Sequence, residues 1–289
     1  MGDYRISTDS NCDMTKKYYD DHDVLLQPLS YSIDGKEYYE FSKNCLTQKE
    51  FYAEMRSGKM PKTAQVNEHE AIKLMFPVLK EGTDILHISF SSALSGTCKS
   101  FFTAAEQLRK EFPERKIIVI DSLCASMGQG LLLHLTIKNK KNGMSIEENA
   151  EWAENNKGSI CHQVTVEDLG HLYRGGRVSR TSAFFGTLLG IKPMLHMNDK
   201  GELKVKGKIR GRNSSIEKLA ETLQKTAIEP KKQEVFISHG DCEADAKKLA
   251  GIITKLCGVK NFLINYIGPV VGSHSGPGTL ALFYIGVER

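Results

Sequence analysis

Four polar stretches of the chain hold the residue types that do chemistry or bind anions. Gly272-Ser273-His274-Ser275-Gly276-Pro277-Gly278 sets a histidine between two serines, the residue types of a nucleophile and its base. Ser91, Ser92, Ser95 and Thr97 cluster around Gly96, where a strand-like run gives way to a helical pattern. Backbone N–H groups at a helix start lack partners and favour an anion. Small hydroxyls there hold a carboxylate or phosphate without a fixed positive charge, and the same serines would serve equally as helix caps. Lys62–Gln65 and Ser7–Ser10 complete the set, again at strand or helix ends. Open α/β sheets bind ligands at the carboxyl ends of their strands.

Several chemistries are disfavoured by spacing. A nucleophile elbow needs Gly-x-Ser-x-Gly, and His274 occupies the serine slot between Gly272 and Gly276. His274 and Ser275 are sequence neighbours, so in an extended segment their side chains point to opposite faces. A serine esterase using Ser95 or Ser275 with His274 stays open as a second reading. The Walker pattern and the Gly-x-Gly-x-x-Gly fingerprint are absent, and "GQGLLL" lacks the third glycine. No metal site is expected, because His69 and His162 stand alone and no His-Glu-x-x-His occurs. The seven cysteines are scattered without a Cys-x-x-Cys pair, which reads as free thiols.

The elements that must position these loops follow from periodicity. "YRISTDS" reads as a strand, and "LSYSIDGKEYYEF" as a hairpin about the turn Asp34-Gly35. Thr47 and Glu50 have capping-box spacing for a helix that stops near Gly58. A helix from Asn67 carries Pro77 in its interior, which predicts a kink or early break. "DILHISF" and "KIIVID" are buried strands separated by helical segments, the βαβ pattern of a parallel sheet. Helices follow over about 126–142 and 145–157.

From "ICHQVTV" onward the rhythm becomes α+β. Two strands surround a turn near Asp199–Gly201, then come a helix, "EVFISHG", a helix, "NFLINYI", and "TLALFYI". The His274 stretch falls between the last two strands and reads as a strand-to-strand loop. The expected organisation is an N-terminal α/β domain over 1–159, with a β-hairpin insertion at about 24–60, and a C-terminal α+β domain over 160–289. Charged residues make up 26% of the 289-residue chain, and a net charge of +4 with mixed-sign surfaces argues against a nucleic-acid binder. No apolar run has membrane-spanning length and the first residues lack a signal-peptide core, so the expected location is the cytoplasm.

Seven motifs in order, "TDS", "KTAQ", "SSALSGT", "GGRVS", "LLGIKPML", "SHGD" and "GSHSGPGTLAL", resemble the DegV family of bacterial fatty-acid-binding proteins. They span residues 8 to 282. The chain departs from the family at Ala64 and Val66, where Thr-Ser-Gln-Pro is usual, while Thr63 keeps its hydroxyl. The resemblance implies a Rossmann-like N-terminal domain and a buried long-chain fatty acid, such as palmitate, stearate or oleate, between the two domains. It implies that Thr63, Ser95 and His274 hold the carboxylate, with Ser92, Thr97 and Ser275 as further head-group contacts. It implies no catalysis by the chain itself, no cofactor and no stable membrane insertion. It implies a separate fatty acid kinase that phosphorylates the presented carboxylate to an acyl phosphate. Arg210 is the closest match to the arginine that meets the kinase, and Arg177 of "GGRVS" is a second candidate for that face. A lipid-responsive interaction protein without a kinase partner is the remaining alternative. Phe184, Phe185, Leu188 and Leu189 are candidates for the tunnel lining or for plain core.

Overall fold

The computed structural model describes residues 4–179, 190–287 and 289. The positions of Phe184, Phe185, Leu188 and Leu189 lie outside the described residues.

The first half alternates strand and helix as its periodicity requires. β1 (Tyr4–Asp9), α1 (Lys16–Asp21), β2 (Leu25–Gln27) and the hairpin β3 (Ser30–Ile33)–β4 (Lys36–Tyr39) come first. Asp34 and Gly35 take φ of 50° and 82°, the paired left-handed residues that a tight hairpin needs. α2 (Gln48–Arg56), β5 (Lys62–Ala64), α3 (Glu68–Lys80), β6 (Asp84–Ser89), α4 (Thr97–Glu111) and β7 (Ile117–Asp121) follow, then α5 (Met127–Lys141) and α6 (Ile146–Asn156). Reciprocal capping boxes at Thr47/Glu50 and Asn67/Glu70 start α2 and α3. α3 runs through Pro77 to Lys80, against expectation. Pro77 and Lys73 are both exposed, so the Lys73 carbonyl that loses its donor faces water.

β2-β1-β6-β7 form an all-parallel sheet. The small antiparallel sheet β4-β3-β5 is more than the expected hairpin. β2, within its expected span, pairs with β1, and β5, beyond it, pairs with β3.

The second half supplies β8 (Ile160–Thr165), α7 (Gly170–Arg174), β9 (Ile191–Met197), β10 (Leu203–Arg210), α8 (Arg212–Thr226), β11 (Glu234–His239), α9 (Glu243–Cys257), β12 (Asn261–Tyr266), α10 (Pro269–Ser275) and β13 (Leu280–Ile285). Its six-stranded sheet has the order β10-β9-β8-β13-β11-β12 and is antiparallel except at β11–β12.

The two sheets share a core. Ile6, Leu86 and Ile88 of the parallel sheet join Val164, Phe236 and Phe283 of the six-stranded sheet in one cluster, with Met127, Leu131 and Leu132 of α5 between them. α5 is buried almost all round in its first two and a half turns, which explains its apolar sequence without a clear stripe. α3 and α4 cover the far side of the parallel sheet, and α8 and α9 the far side of the other. No described helix is long and apolar enough to cross a membrane.

The His274 stretch departs from its expected form. Gly272–Ser275 form the last turn of α10, and Gly276, Pro277 and Gly278 belong to the following loop, the two glycines at φ of 83° and 77°. Pro269 at the first helical position and Gly276 just past the end are the usual punctuation of a short helix.

Candidate functional site

A chamber of about 290 Å³ opens where β5, α10, the β6–α4 loop and the loop after α7 converge on the six-stranded sheet. Its buried wall is mostly apolar, with Asn11, Ser126, His162, Ser275 and Thr279 as buried polar members. Val166, Leu172, Met197, Ala281 and Phe283 line it and are all buried. At the rim the lining turns polar, with Thr63, Ser95, Arg177 and His274, each half-buried.

These four side chains come from distant points of the chain and are held by named contacts. Thr63 sits on β5, paired with Tyr31, and its Oγ1 lies 2.8 Å from His274 Nε2. The opposite side of the ring rests on the loop after α7. A Cβ on Gly175 would come within 2.3 Å of His274 Nδ1, so only glycine lets the backbone approach this closely. Burial, with a smaller contribution from Arg177, pushes the imidazole pKa down to about 4 and keeps it neutral.

Arg177 donates from Nε to the Leu94 carbonyl at 3.0 Å and from a terminal nitrogen to the Gly175 carbonyl at 2.5 Å. Those two bonds leave several of its five N–H donors for an anion at the rim. Burial lowers its pKa from the ordinary value. Ser95 donates to Thr97 Oγ1 at 3.1 Å and accepts from the Thr97 amide at 3.3 Å, so the hydroxyl caps α4 while facing the chamber. The same hydroxyl thus satisfies the first amide of α4 and lines the chamber.

The remaining candidates are placed as follows. Thr97 is buried behind Ser95, where its hydroxyl accepts from the Val66 amide, and it does not line the chamber. Ser92 is exposed, its amide bound to Asp121, and is likewise outside the lining. Ser275 lines the chamber, is 8% exposed, and its Oγ has no hydrogen-bond partner. Arg210 is exposed at the end of β10, away from the chamber, whereas Arg177 is built into the rim rather than onto an outer face.

Neither Ser95 nor Ser275 is hydrogen-bonded to His274, so the serine–histidine pair that the esterase reading needs does not form at the chamber. No group of three or more His, Cys, Asp or Glu side chains is placed to hold a metal ion among the described residues. His162 is a satisfied wall residue, with one nitrogen on the Ala125 amide and the other on the Ile160 carbonyl.

Sequence reasoning missed Asn11, Ser126 and the packing of Gln65 on Gly96. A Cβ at Gly96 would meet the Gln65 side chain at 2.0 Å. Ser126 carried one signal only after folding, a φ of 53° on a non-glycine residue.

Fold and site together define an α/β protein with a mostly apolar chamber and a half-buried polar rim. The chain belongs to the DegV family. Residues 3–287 match the model described as "Uncharacterised protein, DegV family". It is 44% identical to a DegV domain-containing protein of Clostridium perfringens, over 99% of this chain and 98% of that one. A Thermus thermophilus DegV family protein solved for its fatty acid binding superposes with a TM-score of 0.88 at 27% identity, covering 99% of this chain and 100% of that one. The DegV fatty acid binding protein of Bacillus subtilis gives 0.84 at 29% identity, over 99% and 100%.

Proposed function

We propose that this protein binds one long-chain fatty acid, tail inward and carboxylate at the rim, and presents that carboxylate in the cytoplasm to a fatty acid kinase. The observation that carries this reading is the gradient across the chamber, from a buried and mostly apolar wall to four half-buried polar side chains. An amphiphile satisfies both ends. Each methylene taken from water contributes about 0.8 kcal/mol, so a chain of roughly fifteen contributes on the order of 12 kcal/mol before ordering costs. The fatty-acid-binding relatives from Thermus and Bacillus support the ligand class.

The rim chemistry suits presentation. Thr63 donates to the carboxylate while accepting from the neutral His274 Nε2–H, and Ser95 and Arg177 complete the head-group contacts. Two hydroxyls and a shared guanidinium leave the carboxylate more nucleophilic than a buried lysine pair would. The partner supplies ATP and the phosphoryl transfer; this chain contributes orientation and exclusion of water. Arg210, exposed on β10, is the contact assigned to the kinase.

Protein purified from cells and extracted with organic solvent should release one equivalent of palmitate, stearate or oleate by mass spectrometry. An extract without lipid, together with no uptake of added oleate, overturns the reading. A fluorophosphonate probe should leave Ser95 and Ser275 unlabelled, and labelling would favour the esterase. With kinase and ATP, Arg210→Glu should slow phosphorylation without weakening lipid binding. If no kinase phosphorylates the bound lipid, a lipid-responsive interaction protein becomes the better account.

A further inference from the structure

Helix α10 carries His274 at one end and rests on two buried carboxylates at the other. The Gly268 amide donates to Asp13 Oδ1 at 2.8 Å. Glu40 accepts from Ser10 Oγ, and the Val270 amide stabilises the same carboxylate. Gly268 is wedged between the pair. A Cβ there would lie 2.7 Å from Asp13 Oδ1 and 2.8 Å from Glu40 Oε1. Asp13 and Glu40 are only 4% and 5% exposed.

The contacts extend on both sides. Asp13 Oδ2 accepts from Ser126 Oγ, a chamber residue, and the Asp13 carbonyl accepts from Asn265 Nδ2 at 2.7 Å. Tyr52 donates to the Ile267 carbonyl at 2.9 Å, just before α10. Asp13, Glu40 and Tyr52 belong to the first half of the chain and α10 to the second. Four of the helix's seven residues, Val270, Val271, His274 and Ser275, line the chamber. Moving α10 therefore opens the chamber and separates His274 from Thr63.

We infer that Asp13 and Glu40 are positioning residues that clamp the start of α10, set His274 at the rim, and release the helix for lipid exchange when they ionise. The inference rests on the proposed fatty acid binding for its lipid readout.

The groups facing the clamp are Asp9 on β1, Cys12 in the turn after it, Tyr19 on α1, Tyr31 on β3, Cys45 and Tyr52. Burial raises the thiols and phenols, so they stay neutral near pH 7, and the charges that act on the two carboxylates are acidic, Asp9 on both and Asp13 on Glu40. Burial first, opposed by hydrogen bonds, raises Asp13 to about 7 and Glu40 to about 8, while Asp9 rises to about 6. Folded values above the unfolded ones mean that the closed clamp's stabilisation is complete below the ordinary carboxylate range. It is lost as pH rises through 7 and 8. A second cavity, of about 350 Å³, borders Ser10, Asp13 and Glu40 and gives water a path to them.

The test loads the full chain with oleate and follows its transfer to albumin from pH 5.5 to 8.5. Release should accelerate with pH, by up to tenfold per pH unit for one linked proton. Glu40→Gln, which stays neutral, should flatten the profile near the slow, acid-side rate, and Glu40→Ala should release quickly at every pH. A profile unchanged by Glu40→Gln overturns the clamp. Hydrogen exchange of the 268–275 peptide in wild-type protein, read against α5 peptides at the same pH, needs neither lipid nor variant. Its relative protection should fall between pH 6 and 8, and constant protection overturns the clamp. A protein that takes up no oleate but shows this fall retains the clamp and loses the fatty acid reading.

Discussion

Thr63 Oγ1 and His274 Nε2 lie 2.8 Å apart across 211 positions of sequence, and this contact joins the first half of the chain to the second at the rim of the chamber. Under the proposed function, a neutral imidazole donating from Nε2 leaves the threonine hydroxyl free to donate to a carboxylate. The pair is an interface contact, and under the proposed function it also receives the head group.

Removing the hydroxyl tests that dual role. Thr63→Val keeps the β5 strand and its shape but removes a hydrogen bond to a charged group, with an expected cost of about 1.5–3 kcal/mol. Oleate dissociation constants from fluorescence displacement should rise roughly 10- to 150-fold. Ser95→Ala should weaken binding similarly and also lower thermal stability by about 1 kcal/mol, because Ser95 accepts from the Thr97 amide at the start of α4. Unchanged affinity in both variants would remove the hydroxyls from the site.

Gly175→Ala probes the ring rather than the hydroxyl. The added methyl would stand 2.3 Å from His274 Nδ1, so the imidazole must move and loosen its contact with Thr63. Lipid release should accelerate while the far-UV circular dichroism stays the same. The contrast is Gly143→Ala, where nothing lies within 4 Å but φ is +91°, which should cost stability without touching release.

Filling the chamber should exclude the tail without disturbing the rim. Ala281→Phe inserts a ring from β13 into the apolar wall beside Phe283. Co-purified lipid should disappear from mass spectra, with stability altered by the 1–3 kcal/mol typical of overpacking.

The dependence of stability on pH should have two limbs. His274 falls to about 4, and His87 and His162 to about 3, chiefly through burial. Depressed folded values mean that their stabilisation is present above the ordinary histidine value of 6.5 and is lost as pH falls through 4 and then 3. The raised carboxylates Asp9, Asp13 and Glu40 act oppositely, losing stabilisation as pH rises through 6 to 8. Calorimetry should place the maximum melting temperature between these limbs, and His274→Gln should shallow the acid limb by one proton.

Much of the architecture was legible because it is written in local patterns. Short apolar runs separated by helical segments announced the parallel strands, Asp34-Gly35 the hairpin, Thr47/Glu50 the start of α2 and Asn67 the start of α3. Pro77 and α10 were misread for one reason. A local signal was judged without its surroundings, solvent at the Lys73 carbonyl in one case and the carboxylates at Gly268 in the other.

The sequence by itself offered Thr63, Ser95 and His274 as candidates, through motifs that resemble those of the DegV family. Only the tertiary structure decided which of the hydroxyls reach the chamber. Ser92 and Thr97 are within three positions of Ser95, yet the turn into α4 sends one to solvent and the other into the protein. It also decided that Arg177 belongs to the rim and that Asp13 and Glu40 stand behind His274. Those relationships join residues far apart in the chain, and no periodicity records them. They follow from burial, which brings together polar groups that must then find partners in one another.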